Sequence, residues 1–235
     1  MTVYELLDQV VKLPENSVLA ITSKVVSICE NNVIPVKDAD EKELIKKEAD
    51  YYLPFDTSKY NYNFTIKNRT LISNAGIDES NGGGMFVLWP KDPQKAANEI
   101  RKYLKDKFGL NNLGVIISDS TLTPLRLGTM GIAIAHSGFA AANNYVGKPD
   151  LFGRPFKVSQ SNVAGGLAAA GAVVMGEATE QTPIVIIEDV PFVEFQDRDP
   201  TREELDEIRI SPEDDIFAPL INSVKWLPGD KSKNS

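Results

Sequence analysis

Three short apolar runs set the tightest limits on what this chain can fold into: Ser17–Thr22 (Ser-Val-Leu-Ala-Ile-Thr), residues 112–117 and residues 183–187. Each reads as a buried strand. The patterns between them are mostly helical. Residues 92–108 form the clearest helix: Asp92 and Pro93 open it, Lys and Arg fill its end, and Gly109 stops it. Residues 161–175 predict a helix of small residues, suited to a core in which other backbones approach closely. Residues 5–11 have helical spacing until Leu13-Pro14-Glu15-Asn16 breaks it. Residues 38–53 predict a helix that Asp40 could cap, with Leu44, Ile45, Ala49 and Tyr52 near one face.

Residues 60–72 alternate, which predicts a hairpin turning near Asn68 with Phe64, Ile66 and Leu71 inward. Residues 74–84 read as a loop and residues 85–89 are apolar again. Two acidic surface helices are expected over 201–208 and 212–220. Strands and helices mix without a βαβ rhythm, repeat or long linker. The expected fold class is therefore α/β mixed (α+β), in one unit or two interleaved lobes. Residues 1–228 would form it, and 229–235 a polar, disordered tail.

A chain of 235 residues buries about 70% of its unfolded surface and needs no disulfide or metal to fold. Its net charge of −8 repels phosphate backbones, so nucleic acid is not an expected partner. The acidity suits divalent cations, or serves solubility alone. Cys29 is the only cysteine, which excludes an intramolecular disulfide and fits a reducing compartment. Met1 leads into Thr-Val-Tyr-Glu-Leu-Leu-Asp without a basic signal-peptide region. The uncharged stretches 127–147 and 158–176 are built from Gly and Ala rather than Leu and Ile, and read as soluble. A cytoplasmic protein without a membrane partner is expected.

The usual catalytic signatures are missing. The sequence has no P-loop and no Gly-x-Gly-x-x-Gly after a strand. One His and one Cys cannot build a zinc site of standard composition. A Ser-His-Asp triad would need His136, which lies in an apolar run and reads as a core histidine. Two loops are richer. Residues 74–84 gather Asp78, Glu79 and Asn81 among glycines that let backbone N–H groups approach an anion. Ser118-Asp119-Ser120 follows a buried strand, where a carboxylate flanked by hydroxyls suits Mg2+ at a nucleotide site, or simply caps a turn. Gly147-Lys-Pro-Asp-Leu-Phe-Gly-Arg-Pro155 is a fixed, irregular loop; Lys148 or Arg154 could hold a phosphate, or an Asp150 salt bridge could merely brace it. Glu177, leaving the small-residue helix, is either a metal ligand or a solvated helix end.

Taken in order, these segments resemble the coenzyme F420:L-glutamate ligase family, the γ-glutamyl ligases. The matching stretches are Val18-Leu-Ala-Ile-Thr-Ser-Lys24, Asn74-Ala-Gly-Ile-Asp-Glu-Ser-Asn81, Gly114-Val-Ile-Ile-Ser-Asp-Ser120, residues 147–154 and Met175-Gly-Glu177. The resemblance implies a two-lobed fold, an intertwined homodimer, and an amide bond made between a substrate carboxylate and L-glutamate. The co-substrate would be GTP or ATP, the metals Mg2+ or Mn2+ with K+, and the route an acyl phosphate. It implies metal binding by Asp78, Asp119 and Ser120, with Glu177 a further candidate. Asn81, Ser23 and Lys24 would meet nucleotide, the last two in a turn after the first strand. Arg126, Lys148 and Arg154 are the remaining candidates for phosphate or substrate, Arg126 beside Asp78 and Asp119 in catalysis.

The chain also departs from the family pattern. Ile28 stands where a lysine is expected, Leu127 interrupts an Arg-Arg-Gly, and Ala178 interrupts a Gly-Glu-Gly. A nucleotide-contacting Leu-Pro loop expected before the first helix is not seen. Ala135-His-Ser-Gly138 and Glu180-Gln-Thr-Pro183 look closer to a bacterial subgroup proposed to glutamylate folate, so the acceptor is either folate or the F420 precursor. The alternative is an inactive relative that binds nucleotide or pterin without turnover, or a purely structural dimer.

Overall fold

The computed structural model describes residues 1–60 and 62–230. In chain order the elements are α1 (Val3–Leu7), β1 (Ser17–Thr22), α2 (Ser23–Cys29), β2 (Val33–Pro35), α3 (Glu41–Glu48), β3 (Tyr51–Tyr52), β4 (Phe64–Lys67) and β5 (Thr70–Ser73). There follow β6 (Met85–Val87), α4 (Pro93–Phe108), β7 (Leu113–Leu122), β8 (Thr129–Ser137), β9 (Ala142–Asn144), β10 (Gln160–Asn162) and α5 (Val163–Met175). The chain continues through β11 (Ile184–Ile187), α6 (Arg202–Glu207), α7 (Ala218–Ile221) and β12 (Leu227–Pro228). The class is α+β. The elements fall into two units built from interleaved segments: Met1–Val26, Asp92–Ser120 and Met130–Thr201 in the first, Ser27–Lys91, Thr121–Thr129 and the chain from Arg202 in the second.

The three apolar runs are the heart of the first unit. They form a sheet in the order β11-β1-β7-β8, with β1 antiparallel to β11 and parallel to β7. Side chains alternate across a strand, and both faces of β1 and β7 are covered. Leu19, Ile21, Val115 and Ile117 pack on one side with Leu7, Ala97, Ile100 and Leu104 of α1 and α4. Val18, Ala20 and Ile116 pack on the other with Ala164, Leu167, Ala168 and Met175 of α5.

α4 has the expected bounds: the Asp92 side chain accepts from Lys95 N and Gly109 closes it. α5 is capped by Asn162, and its small residues let backbones meet. A Cβ on Gly131 of β8 would lie 2.4 Å from the Ala168 carbonyl oxygen.

The second unit holds an antiparallel sheet, β12-β3-β4-β5, and the pair β2-β6. Its core is Leu44, Ile45, Ile77, Phe86 and Leu88. Asp40 caps α3, as its sequence implies, but the helix stops at Glu48 and Tyr52 belongs to β3. The hairpin turns through Asn68 and Arg69, both left-handed, as a two-residue hairpin loop requires.

Its inward face differs from the expectation. Ile66 is buried, but Phe64 and Leu71 are exposed, while Thr65, Lys67 and Ile72 are buried. Lys67 can face inward because its ammonium lies 3.0 Å from the Glu48 carboxylate; a charge is buried only when paired. The second acidic helix shrinks to the single turn of α7. Of the expected tail, Gly229 and Asp230 are tied down: Gly229 N and Asp230 N donate to Asp50 O and Lys46 O. Residues 231–235 lie outside the described residues. Among the described residues no helix is long and apolar enough to cross a membrane.

Candidate active site

β1 and β7 run in parallel register from Ser17↔Leu113 to Thr22↔Ser118. β1 then passes directly into α2, while β7 continues to Leu122. Ser118, Asp119 and Ser120 thus lie inside β7 rather than after it, and Ser23 and Lys24 lie in the first turn of a helix rather than in an open turn. The buried Ser23 is brought beside Asp119, and its Oγ donates to Asp119 Oδ1 at 3.1 Å.

The alternation of β7 sorts the rest. Asp119 continues the series Val115, Ile117 that faces α4; Ser118 and Ser120 continue the series that faces α5. Ser118 Oγ touches Met175 Sδ at 4.0 Å. Ser120 Oγ lies 3.0 and 3.2 Å from the two carboxylate oxygens of Glu177, just beyond α5. Four of the candidates form two pairs, Ser23–Asp119 and Ser120–Glu177, each with one carboxylate and one hydroxyl.

Among the described residues no three His, Cys, Asp or Glu side chains gather as a metal cage. The donors are nonetheless all oxygen, which suits hard cations. Mg2+ in particular takes one or two carboxylates and leaves its other positions to water and phosphate. The residues present fit such an ion and do not fit zinc. His136 is 3% exposed, edge-on to Phe139 at 5.5 Å, and serves the core.

Asp78 and Asn81 lie in the second unit. Asp78 is anchored at its backbone, donating to Val87 O (3.0 Å) and accepting from Val87 N (2.8 Å). Its carboxylate accepts from Ser80 N at 2.7 Å and Ser80 Oγ at 2.9 Å, so the side chain has one defined aim. Before it, Asn74, Ala75 and Gly76 are all left-handed, with φ of 51°, 53° and 71°. A Cβ on Gly76 would come within 2.1 Å of Trp89 Nε1, so both the turn and the indole demand glycine there. Sequence reasoning missed Glu41 of α3, whose Oε1 accepts from Asn74 Nδ2 at 3.3 Å. Burial pushes the Glu41 carboxyl up, and the charges of Glu79 and Asp40 add to this.

The other cations lie apart from these groups along the chain. Arg126 is exposed between β7 and β8 and donates to the Leu125 carbonyl. Lys148 and Arg154 belong to the connection between β9 and β10, which is itself a hairpin arm. Tyr145 N bonds Ser159 O, and Gly147 N bonds Phe156 O. Asp150 braces the tip: it accepts from Phe152 N and Arg154 N, both at 2.8 Å, and forms no salt bridge among the described residues.

The family of F420-0:gamma-glutamyl ligases matches residues 1–189. This chain belongs to that family. It is 38% identical over 211 residues to the coenzyme F420:L-glutamate ligase of Methanococcus maripaludis strain C7, covering 83% of this chain and 84% of the relative. To the protein of that name from Methanocaldococcus jannaschii it is 39% identical over 180 residues, 72% of each chain. The Archaeoglobus fulgidus relative, also so named, is 29% identical over 198 residues, 78% of this chain and 79% of the relative.

Proposed function

We propose that this chain is a nucleotide-dependent γ-glutamyl ligase. Membership of the family supports that class. The observation that carries the nucleotide-dependent route is the pair of oriented carboxylates, Asp119 held by Ser23 and Glu177 held by Ser120, where the parallel strands β1 and β7 part company. The proposed route asks these groups for positioning and charge rather than for a covalent intermediate.

In the proposed reaction an oxygen of the acceptor carboxylate attacks the γ-phosphorus of GTP or ATP. The bond to the bridging oxygen breaks and the nucleoside diphosphate leaves. The amine of L-glutamate then attacks the acyl carbon of the acyl phosphate, the carbon–oxygen bond to phosphate breaks, and the nitrogen gives up a proton to solvent. Mg2+ or Mn2+, assisted by K+, would neutralise charge on the phosphoryl group. Asp119 on one face of β7, and Ser120 with Glu177 on the other, are the first unit's candidates to hold metal, and Asp78 is the candidate of the second unit. Ser23 and Ser80 contribute by fixing the aim of Asp119 and Asp78, which suits a reaction that depends on positioning and charge. Ser23, Lys24 and Asn81 would meet the nucleotide; Arg126, Lys148 and Arg154 would take phosphate or substrate carboxylates.

The names of the relatives favour the F420 precursor as acceptor, with folate second. The working form would be a cytoplasmic homodimer. The arm between β9 and β10 supports this, because its tip presents Leu151 and Phe152 at 99% and 88% exposure.

The test is glutamate-dependent phosphate release with GTP or ATP, Mn2+ or Mg2+, K+ and either acceptor, followed by mass spectrometry. One added glutamyl unit on the F420 precursor is the expected product. Stabilisation by nucleotide and metal without phosphate release, with both acceptors, would instead identify an inactive relative.

A further inference from the structure

The second unit buries a lysine that the proposed chemistry leaves unused. Lys67 is 2% exposed, on β4. Its Nζ lies 3.0 Å from Glu48 Oε2, donates to the Ala75 carbonyl at 3.1 Å, and stands 5.1 Å from the centre of the Trp89 ring. Two positions away on the same strand face, Thr65 Oγ1 accepts from Ala75 N at 2.9 Å and donates to the Ile72 carbonyl.

Ala75 is thus gripped at both backbone polar groups by alternate side chains of one strand. It is also an alanine with φ 53° between two other left-handed residues. An L-residue with a Cβ adopts this conformation only where its surroundings enforce it. Trp89 completes the enclosure, since its indole occupies the space that a side chain at Gly76 would need. Three residues further on, the chain reaches Asp78.

We infer that Lys67 is a positioning residue for the Asp78 loop. Its ammonium pulls the Ala75 carbonyl inward, holds the left-handed turn, and thereby sets where the Asp78 carboxylate is presented. Glu48 makes the burial of that ammonium possible. The inference rests on the reading of Asp78 as a metal-holding residue.

Lys67→Met removes the donor at similar length but takes the Lys67 charge from the half-buried Glu48 carboxylate, which could unfold the unit. Lys67→Met/Glu48→Gln removes the ion pair whole and keeps the test open. Two readouts are needed on the full chain: hydrogen exchange of residues 74–80, and Mn2+ affinity with a non-hydrolysable GTP analogue, followed by electron paramagnetic resonance.

The expected result is exchange at least tenfold faster over 74–80, with β1 and α4 unchanged. Mn2+ affinity should fall at least tenfold, and that loss should vanish in an Asp78→Asn background. Unchanged exchange over 74–80 overturns the inference. So does faster exchange with wild-type Mn2+ affinity, provided that Asp78→Asn by itself loses the ion. If Asp78→Asn binds Mn2+ as wild type does, the metal reading has failed, and Lys67 as a positioning residue for it falls too. The exchange rates then still report whether Lys67 holds the turn.

Discussion

At the residue scale, the candidate groups of each unit are held by side-chain hydrogen bonds from their neighbours. Ser23 sits on Asp119, Ser120 on Glu177, Ser80 on Asp78 and Lys67 on Ala75. Asp119→Asn keeps the shape and removes the charge. It should retain the fold but lose the rise in melting temperature that the proposed function predicts for the wild type with GTP and Mn2+, as thermal shift would report; an undiminished rise would remove Asp119 from the proposed metal ligands. Gly76→Ala tests the turn before Asp78, where φ is 71° and the added carbon meets Trp89. Backbone strain and overpacking together should cost about 2–4 kcal/mol, measured by urea unfolding. Asp78 and Asp119 stand out in the sequence as candidates because a carboxylate beside hydroxyls and glycines is a local pattern. Lys67 does not, because its partners Glu48, Ala75 and Trp89 come from three other segments, and an inward lysine inverts the rule by which the hairpin was read.

At the element scale, helices are seated by small residues and by ion pairs. Gly131 of β8 lets α5 approach until a Cβ there would meet the Ala168 carbonyl at 2.4 Å and the Ala172 Cβ at 2.7 Å. Gly131→Ala should therefore push α5 off the sheet and cost about 1–3 kcal/mol, again by urea unfolding. On α4, Lys105 pairs with Asp197, and Arg101 reaches Asp199 at 2.8 Å, tying the segment after β11 to the helix. The hydrogen bond and charge of Lys105 hold the Asp197 carboxyl below its ordinary range, with Arg101 adding to it. A lowered carboxyl stabilises the fold at neutral pH, above its unfolded value, and loses that contribution as pH falls through the lowered one. Asp197→Asn should thus lose less stability than wild type on acidification from pH 6 to 3. Equal losses would mean that the exposed pair is fully screened by solvent.

At the scale of the whole molecule, the arm between β9 and β10 is an extended hairpin whose apolar tip is exposed among the described residues. The homodimer proposed above predicts twice the chain mass in light scattering. Leu151→Asp/Phe152→Asp should shift it toward the monomer without changing the circular dichroism spectrum. A monomeric wild type would leave the tip as ordinary exposed surface.

Most of the elements could be read from the sequence, because helix and strand periods, caps and turn formers act over a few neighbours. α4 between Asp92 and Gly109, the buried runs of β1, β7 and β11, and the turn at Asn68–Arg69 are of this kind. So was the family, since its motifs are short and ordered along the chain. Other features depended on partners far away in the chain. Whether β7 stops at residue 117 or runs on to Leu122 depends on its neighbours in the sheet. Which face of β4 turns inward depends on Glu48 neutralising Lys67. The division of the hydroxyl–carboxylate pairs between the two faces of β7 follows from α4 and α5 packing on opposite sides of one strand. Local chemistry is written residue by residue, whereas burial and pairing exist only once distant segments have met.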